Sequence, residues 1–387
     1  MLRTLFILGT RPEAVKLLPI VLHQRSRPCD FLPILCVTAQ HRQLLDQVLN
    51  VFGVTPDYDL DLMQPGQTLF QSTSRVIAAL ERVISDARPD TIVVQGDTTT
   101  TFAGALAGFY ANIPVAHVEA GLRTGDTRQP FPEEINRVLT TRLSSFHFAA
   151  TEWARNNLLA ENVDASSIVV TGNSGIDAVL HVREGLEAGR LAGIDGLLPS
   201  PTSKKLVLVT AHRRESFGAG FESICRALAR LASRGDNQIV YPVHPNPNVQ
   251  DPVQRLLQGH PNVLLLEPLT YVPFVDLMRK AYILLTDSGG VQEEGPSLGK
   301  PILVMREKTE RPEAVAAGTV KLVGTSEEKI FAEASRLLDD PAEYDRMART
   351  HNPYRDGHAS ERISDFLVQR FRVAGSRNKP AVACQSQ

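Results

Sequence analysis

The chain has 387 residues, of which 43% are hydrophobic and 22% charged, a composition typical of globular proteins and a length sufficient for two domains. Its formal net charge of −2 gives no whole-protein attraction to nucleic acid or to an anionic membrane, and no apolar run approaches the roughly 20 residues that cross a bilayer. The cysteines lack metal-ligand spacing, so we expect no metal site and no disulfide framework but reduced thiols at Cys29, Cys36, Cys225 and Cys384.

The N-terminus, MLRTLFILGTRPEAV, contains one early arginine and a short apolar run. A secretory signal peptide is the alternative interpretation, but the run ends in Gly-Thr-Arg-Pro-Glu, without a longer apolar core or a small-residue cleavage site. We therefore expect this run to be the first strand of a cytoplasmic protein.

Short apolar segments alternate with amphipathic segments along almost the whole chain. The predicted strands of the first half are Leu2–Leu8, Leu32–Val37, Thr91–Val94, Pro114–Val118, Phe146–Ala149 and Ile168–Val170. Those of the second half are Leu206–Val209, Gln238–Val243, Val263–Leu266, Tyr282–Thr286, Pro301–Met305 and Val320–Val323. Most are continuous apolar runs, which are typical of parallel strands covered by helices on both faces. The pattern predicts an α/β fold with two doubly wound Rossmann-like domains of six strands each.

The weakest pattern of the core lies between Glu184 and Lys205 and ends in LLPSPTSKK, which is rich in Pro, Ser and Lys. We therefore predict an N-terminal domain of residues 1–176 and a C-terminal domain of residues 177–357. A helix at about 358–373 is expected to pack back on the first domain, and residues 375–387 are expected to form a disordered tail.

The segment Tyr282–Lys300, YILLTDSGGVQEEGPSLGK, combines a buried strand, a turn of small residues and a helix predicted over about Val291–Leu298. Such a helix start offers unpaired N–H groups, and glycines let an anion approach the backbone. Glu293 and Glu294 lie one turn further on, where carboxylates could accept hydrogen bonds from sugar hydroxyls. Two interpretations stay open: a site for a nucleotide diphosphate with its ribose, or an ordinary strand-to-helix connection.

Charged residues follow the strands of the first half at the edge where such sheets bind ligands. Arg11 and Lys16 follow the first strand and could reach a phosphate, or could be surface charges. Asp97 and Glu119 follow two adjacent strands, and Glu133 opens a helix. Asp97 could instead cap its helix, and Glu133 could complement a helix dipole, whereas Glu119 has no capping role. Clustered carboxylates raise at least one pKa, which suits proton transfer near neutral pH.

The second half places His212 and Arg213 after its first strand, His244 after its second, and Arg311 after the strand ending at Met305. His212 could donate to a phosphate or transfer a proton, or could be an ordinary satisfied histidine. Arg311 is a candidate for closing over an anion. No NAD fingerprint and no P-loop is present, so no cofactor is expected.

Eight segments spread over nearly the whole chain form a pattern more specific than any single glycine motif. They are GTRPEAVKLLPI, VTAQHRQLLDQVL, QGDTTTTFAGALAGFY, HVEAGLRTGD, PFPEEINR, TAHRRESFG, LLTDSGGVQEEGPSLGKP and TERPEAVAAGTVKLVGT. Together they resemble the non-hydrolysing UDP-N-acetylglucosamine 2-epimerases. The resemblance implies a glycosyltransferase-B arrangement of the two domains, with the active site in the interdomain cleft. It also implies interconversion of UDP-GlcNAc and UDP-ManNAc without a cofactor, by elimination of UDP to a 2-acetamidoglucal and its re-addition.

The resemblance also implies roles for individual residues. Those matching the catalytic set of the family are Asp97, Glu119, Glu133 and His212. Those matching its UDP-binding set are Arg11, Lys16, Phe274, Ser288, Gly289, Gly290, Glu294 and Arg311. Some bacterial members bind UDP-GlcNAc at a second, allosteric site, whose polar residues match Gln40, Gln43, Arg213 and His244. Members with the best-described site carry an arginine where this chain has Gly66, and a homodimer is expected from the resemblance alone.

Three alternatives remain beside the non-hydrolysing epimerase. A hydrolysing 2-epimerase would release ManNAc and UDP from a similar site. A glycosyltransferase of the same architecture would need an acceptor surface and would not need three carboxylates in the first domain. A nucleotide-sugar-binding protein without catalysis would not need the four residues of the catalytic set, and their presence disfavours it.

Overall fold

The computed structural model of the protein describes residues 1–38, 42–64, 66–198 and 203–377. Its contacts divide the chain into two compact units. Unit 1 comprises Met1–Ala178 and the segment that begins at Gly357, and unit 2 comprises Val179–Asp356. The domain limits predicted above stay a prediction.

Unit 1 is built on a seven-stranded parallel sheet whose order is β3-β2-β1-β4-β5-β6-β7. Its strands are β1 (Leu2–Leu8), β2 (Phe31–Val37), β3 (Tyr58–Asp59), β4 (Thr91–Gln95), β5 (Val115–Ala120), β6 (Phe146–Ala149) and β7 (Ile168–Val170). The order reverses between β1 and β4, and in doubly wound sheets ligands bind outside the carboxyl ends of the strands at such a point. The two-residue β3, paired with β2 through Cys36 and Tyr58, was not predicted because it is too short to form an apolar run.

Helices cover both faces of this sheet. They are α1 (Arg11–Arg25), α2 (Arg42–Val51), α3 (Leu69–Ala87), α4 (Thr99–Tyr110), α5 (Glu133–Leu143), α6 (Glu152–Ala160), α7 (Ser174–Glu187), which runs across the division between the units, and the C-terminal α15 (Ala359–Arg377). Apolar side chains of β1, β4 and the covering helices α3 and α4 form one buried cluster, which includes Leu5, Ile7, Leu80 and Val94. The sheet is therefore a rigid base for the loops at its carboxyl edge.

The C-terminal helix α15 packs on unit 1. Phe366 lies edge-on to Phe146 and Phe148, with ring centroids 5.6 Å apart in each pair, and Asp365 forms an ion pair with Arg27. The tail predicted to be disordered overlaps the end of this helix at residues 375–377, and residues 378–387 lie outside the described part of the chain.

Unit 2 is built on a six-stranded parallel sheet of order β10-β9-β8-β11-β12-β13. Its strands are β8 (Lys205–Thr210), β9 (Asn237–Pro242), β10 (Val263–Leu266), β11 (Ile283–Thr286), β12 (Ile302–Val304) and β13 (Val320–Leu322). Its helices are α8 (Ala219–Ser233), α9 (Pro247–Leu257), α10 (Tyr271–Lys280), α11 (Gly289–Glu294), α12 (Pro312–Ala317), α13 (Glu327–Asp339) and α14 (Pro341–Ala348). The predicted α/β class with two doubly wound, Rossmann-like sheets is confirmed.

The helix predicted over Val291–Leu298 is wrong in its bounds and in its continuity. Helix α11 begins at Gly289, and a 3-10 turn replaces it from Gly295 to Leu298. Pro296 has no N–H group for the α-helical ladder, which accounts for the change. A Cβ at Gly295 would lie 2.7 Å from side-chain atoms of Ile302 and Leu284, so the segment lies tightly on the sheet. No helix within the described ranges is both long and apolar enough to cross a membrane.

Candidate functional site

The loop after β1 is organised by the buried Glu13. Thr10 caps α1 and forms a capping box with Glu13. The buried Glu13 Oε2 accepts hydrogen bonds from Gly9 N at 3.0 Å, from Thr10 N at 2.8 Å and from Thr10 Oγ1 at 2.7 Å. Glu13 Oε1 accepts from the hydroxyls of Thr98 and Thr101, which belong to the loop after β4 and to α4. One carboxylate thus joins the start of α1, where Arg11 lies, to the loop that carries Asp97.

The burial of Glu13 raises its pKa, and its hydrogen bonds to Thr98, Thr10, Gly9 and Thr101 oppose that rise. A buried carboxylate is tolerated only when its oxygens are satisfied, and here both are. The sequence contains a cue for half of this arrangement, the T-x-x-E spacing of a capping box. The contacts to the second loop have no counterpart in local sequence.

Glu119 occupies a strained position at the end of β5. Its φ is +63°, in the left-handed region that glutamate rarely adopts, and the pairing of β5 with β6 shifts register between Val118 and Ala120. The Lys16 ammonium group contacts Glu119 Oε1, and Gln95 Nε2 donates to Oε2 at 2.5 Å. The fold therefore turns this carboxylate out of the pleat and holds both of its oxygens. Lys16, which was matched above to the UDP-binding set, thus forms an ion pair with Glu119.

Asp97 lies on the neighbouring loop. The sequence suggested that Asp97 could cap α4, but Thr98 is the cap, and its hydroxyl accepts from Thr101 N at 3.1 Å. The Asp97 carboxylate instead pairs with Arg137 at 2.5 Å, and its carbonyl accepts from the Asn136 side chain at 2.9 Å. Because Gln95 and Val118 are register partners on β4 and β5, Asp97 and Glu119 follow adjacent strand ends, as predicted.

Helix α5 brings further charged groups to this edge. Glu133 is its first residue and is half-buried, one turn before the residues that contact Asp97. Arg137 also pairs with Glu134 at 3.2 Å, and Glu134 accepts from the backbone N–H groups of Thr124 and Gly125. Sequence reasoning did not single out Arg137, although its position four residues after Glu133 places it on the same helix face.

His117, one residue from the end of the apolar part of β5, was also missed. It is fully buried, and its Nε2 lies 2.7 Å from the carbonyl oxygen of Gly96. Burial lowers the pKa of His117 to about 3, so the ring is neutral and Nε2–H donates to that carbonyl. Gly96 has a φ of +74°, and His117 therefore secures the turn that presents Asp97.

In unit 2 the segment after β11 forms a cradle, defined here as residues 287–290 with the guanidinium group of Arg311. A Cβ on Gly289 would lie 3.1 Å from Arg311 Cζ, so a larger residue at this position would require the guanidinium group to shift by a few tenths of an ångström. Arg311 Nε donates to the buried Glu293 at 2.8 Å, and Nη1 contacts Glu310 at 3.0 Å. Glu293 thus positions Arg311, and Glu294, which is half-buried, is the remaining carboxylate candidate for a sugar hydroxyl.

The cradle adjoins the loop that carries His212. Asp287, which is fully buried, accepts hydrogen bonds from the backbone N–H groups of His212 at 2.6 Å and of Arg213 at 2.7 Å. The rings of His212 and His244 are stacked, with centroids 5.4 Å apart and planes 13° apart. Burial lowers the pKa of His212, and the Asp287 carboxylate opposes this. The half-buried Phe274 belongs to α10.

The residues matched to an allosteric site are only partly described. Arg213 and His244 belong to unit 2, next to His212. Gln40 lies outside the described residues, and of Gln43 only the backbone, in α2, is described. Gly66 has a φ of +71°, which an arginine would adopt only with strain. Within the described ranges, no group of three or more His, Cys, Asp or Glu side chains could hold a metal ion.

The chain is similar over nearly its whole length to proteins of known identity. The family model described as UDP-N-acetylglucosamine 2-epimerase matches residues 24–368. The UDP-N-acetylglucosamine 2-epimerase of Salmonella typhimurium is 54% identical over 377 residues, covering 96% of this chain and 100% of that protein. The crystal structure of the Neisseria meningitidis UDP-GlcNAc 2-epimerase bound to UDP-GlcNAc has a TM-score of 0.86 and 46% identity, covering 95% and 100% of the two chains.

A more distant structure shows the same likeness. The UDP-GlcNAc 2-epimerase of Methanocaldococcus jannaschii, in complex with UDP-GlcNAc and UDP, has a TM-score of 0.76 and 33% identity. The alignment covers 95% of this chain and 100% of that chain. The agreement of the family model, the relatives and the fold shows that this chain belongs to the UDP-N-acetylglucosamine 2-epimerase family.

Proposed function

We propose that the protein catalyses the reversible C2 epimerisation of UDP-GlcNAc to UDP-ManNAc without hydrolysis. The observation that carries the proposal is the pairing of Glu119 with Lys16 and Gln95 at a strained strand end, beside the Asp97–Arg137 pair. Abstraction of a proton from carbon requires a positioned base, and re-addition on the other face requires a second acid. Glu119, paired with Lys16, and Asp97, paired with Arg137, would supply the base and the second acid from unit 1.

The reaction proceeds by elimination and addition. A base takes the C2 proton, the C1–O bond to UDP breaks, and a C1–C2 double bond forms, which gives 2-acetamidoglucal and UDP. A second group then returns a proton to C2 from the opposite face, while UDP forms a new bond at C1. The groups proposed for these proton transfers are Asp97, Glu119, Glu133 and His212. The carbon skeleton is neither oxidised nor reduced overall, so the route needs no redox cofactor.

The proposal assigns the departing diphosphate to positive charge and to backbone N–H groups. Arg311, whose guanidinium group lies over the turn, offers the charge, and Gly289 and Gly290 offer N–H groups at the start of α11. Ser288, whose own N–H donates to Thr286 Oγ1, offers its hydroxyl. Glu294 would accept from the ribose, Phe274 would lie near the uracil, and Arg11 with Lys16 would complete the set. This assignment requires that groups from both units act on one substrate, in the predicted interdomain cleft.

The decisive experiment is proton NMR of the purified protein with UDP-GlcNAc in deuterated water. We expect UDP-ManNAc to accumulate to a minor equilibrium share, with deuterium at C2 and the UDP linkage intact. Free ManNAc and UDP would instead establish the hydrolysing type. An unchanged spectrum with binding still detectable would point to a glycosyltransferase awaiting its acceptor or to a binding protein. The matched control is the Asp97→Asn variant, which keeps the shape of the side chain but removes one of the carboxylates proposed for proton transfer.

We further propose a cytoplasmic homodimer that supplies ManNAc-type sugars for cell-surface polysaccharide. Large exposed aromatic side chains on α3 and α4 support self-association, namely Phe70 at 87%, Phe109 at 61% and Tyr110 at 70% exposure. Light scattering after gel filtration tests the dimer, and a monomer at micromolar concentration would contradict it.

A second UDP-GlcNAc site at Gln40, Gln43, Arg213 and His244 predicts cooperative kinetics. Hyperbolic turnover of UDP-ManNAc without added UDP-GlcNAc would contradict that site.

A further inference from the structure

The Asp287 carboxylate is buried in an unusual arrangement. Its side chain is fully inaccessible to solvent, and its Oδ2 accepts both backbone hydrogen bonds, from His212 and Arg213. Its Oδ1 is also buried and has no hydrogen bond among the described residues, but it lies 3.4 Å from His212 Nδ1. A buried carboxylate oxygen without a donor is costly, so its direction toward an imidazole nitrogen is informative.

Three contacts restrict His212. Its backbone N–H is held by Asp287, its Nδ1 faces the same carboxylate, and one ring face is stacked on His244. The Asn246 backbone N–H donates to His244 Nδ1 at 3.1 Å, so the ring proton of His244 is on Nε2. The His212 side chain is 38% exposed, so part of its ring is accessible.

We propose that Asp287 is the positioning residue of His212: it holds the Nδ1–H tautomer and directs Nε2, free of that proton, toward the substrate. A carboxylate behind an imidazole fixes the tautomer and the orientation of the ring in many catalytic and metal-binding sites. The inference rests on the proposed function only in giving His212 a part in catalysis. Asp287 itself touches no substrate, because it is buried beneath the loop.

The groups that face His212 determine its charge. Burial lowers its pKa, as do His244 from the loop after β9 and Arg213 from its own loop, whereas Asp287 at the end of β11 raises it. From β9 itself, the buried Tyr241 donates its hydroxyl to the Ala211 carbonyl at 2.7 Å and remains protonated. The ring is therefore a neutral imidazole poised to exchange a proton at Nε2.

The test substitutes Asp287→Asn, which keeps the size of the side chain. The amide oxygen can still accept from the two backbone N–H groups, but the amide nitrogen would then donate to His212 Nδ1 and force the proton onto Nε2. In serine proteases, replacing the aspartate of the catalytic triad by asparagine leaves the geometry intact but selects the wrong tautomer, and kcat falls about 10⁴-fold. We expect kcat to fall at least about 100-fold here, with KM within about threefold, because the same tautomer change is imposed on His212.

The control is Asp276→Asn, another buried aspartate of unit 2 that accepts a backbone N–H, from Ile194 at 3.0 Å. Asp276 pairs with Arg279 and Lys280, so its substitution tests loss of a buried charge in general. We expect this control to lower thermal stability without changing the pH profile of kcat. Equal losses of kcat in both variants would overturn the inference.

A second readout does not depend on turnover. Nitrogen-15 NMR of histidine-labelled protein, with His212 assigned from a His212→Gln variant, reports which ring nitrogen carries the proton. We expect the Nδ1–H form in the wild type and the Nε2–H form in Asp287→Asn. An Nε2–H form in the wild type overturns the inference, even if the variant does not fold. If the wild type fails to epimerise UDP-GlcNAc, the proposed function fails and the tautomer still decides this inference.

Discussion

The guanidinium carbon of Arg311 lies 3.1 Å from the point where Gly289 would carry a Cβ. Arg311 Nε and Nη2 lie 3.3 Å from the same point, so the arginine packs directly over the first residue of α11. Packing against Arg311 therefore favours a glycine here, and backbone conformation does not, since its φ lies outside the left-handed region.

Gly289→Ala is therefore expected to displace Arg311 and to weaken its contact with Glu293. Because the neighbour is the end of a flexible side chain, we expect a folded protein with UDP affinity reduced about tenfold, equivalent to about 1.4 kcal/mol. Isothermal titration calorimetry measures the change. Gly196→Ala is the matched control, because a Cβ there meets no atom within 4 Å. Equal affinities of the Gly289→Ala variant and the wild type would show that the packing of Arg311 against Gly289 does not affect UDP binding.

Arg311→Ala should weaken UDP binding more than Gly289→Ala does, because it removes a charge-assisted donor and leaves Glu293 without its arginine. We expect a loss of about 10- to 100-fold in affinity for UDP. Arg230→Ala, which removes an exposed arginine paired with Glu327 and Glu328, serves as control and should bind normally. Unchanged affinity of Arg311→Ala by calorimetry would exclude it from the diphosphate site.

Glu119→Gln should retain UDP binding and lose most turnover. The amide keeps the size of the carboxylate but cannot exchange a proton with carbon, and it loses the charge that faces Lys16. We expect kcat to fall about 10²- to 10⁴-fold. The exposed Glu152→Gln is the control for the loss of a carboxylate from the same unit. A rate within about tenfold of the wild type would show that Glu119 does not transfer the proton.

His117 predicts a specific acid sensitivity of unit 1. Burial lowers its pKa from 6.5 to about 3, so between these values the unfolded chain binds a proton that the folded chain refuses. Stability is then fully present above pH 6.5 and falls as the pH decreases, by at most about 1.4 kcal/mol per pH unit from this group. His117→Gln can still donate to the Gly96 carbonyl without titrating.

The measurement compares thermal unfolding of the wild type and His117→Gln at about pH 7 and about pH 5, on either side of the ordinary histidine pKa. We expect the variant to be less stable at the higher pH, because its packing is altered, and the difference to shrink at the lower pH. His260→Gln, which replaces a half-buried histidine of unit 2, controls for the loss of a histidine. A difference that stays constant or grows at the lower pH would contradict the assignment.

The local parts of the fold were predictable because local sequence determines them. Strand β1 has its predicted bounds, since the apolar run of residues 5–8 ends there at Gly9. The start of α4 was not, because Asp97 and Thr98 are both good caps, and the direction of the chain after Gly96 selects the threonine. The break of α11 before Pro296 could have been predicted from proline chemistry alone.

The sequence predicted which residues of the site lie at strand ends, but it did not predict which of their side chains pair with one another. Lys16 and Glu119 lie 103 residues apart and meet only because β1, β4 and β5 are neighbours in the sheet. Glu293 was interpreted as a sugar ligand because sequence cannot show that Arg311, 18 residues later, occupies it. No regular spacing in the sequence connects the two residues of either pair, so neither pair could be predicted from the sequence alone.

The Glu13 carboxylate accepts hydrogen bonds from the loop after β1 and from the loop after β4. It therefore connects two segments that are distant in the sequence. A substitution of Glu13 is therefore expected to change the positions of Arg11 and Asp97 together. To change the position of Asp97 without moving Arg11, one would first have to replace Glu13 and stabilise each of the two segments by contacts of its own.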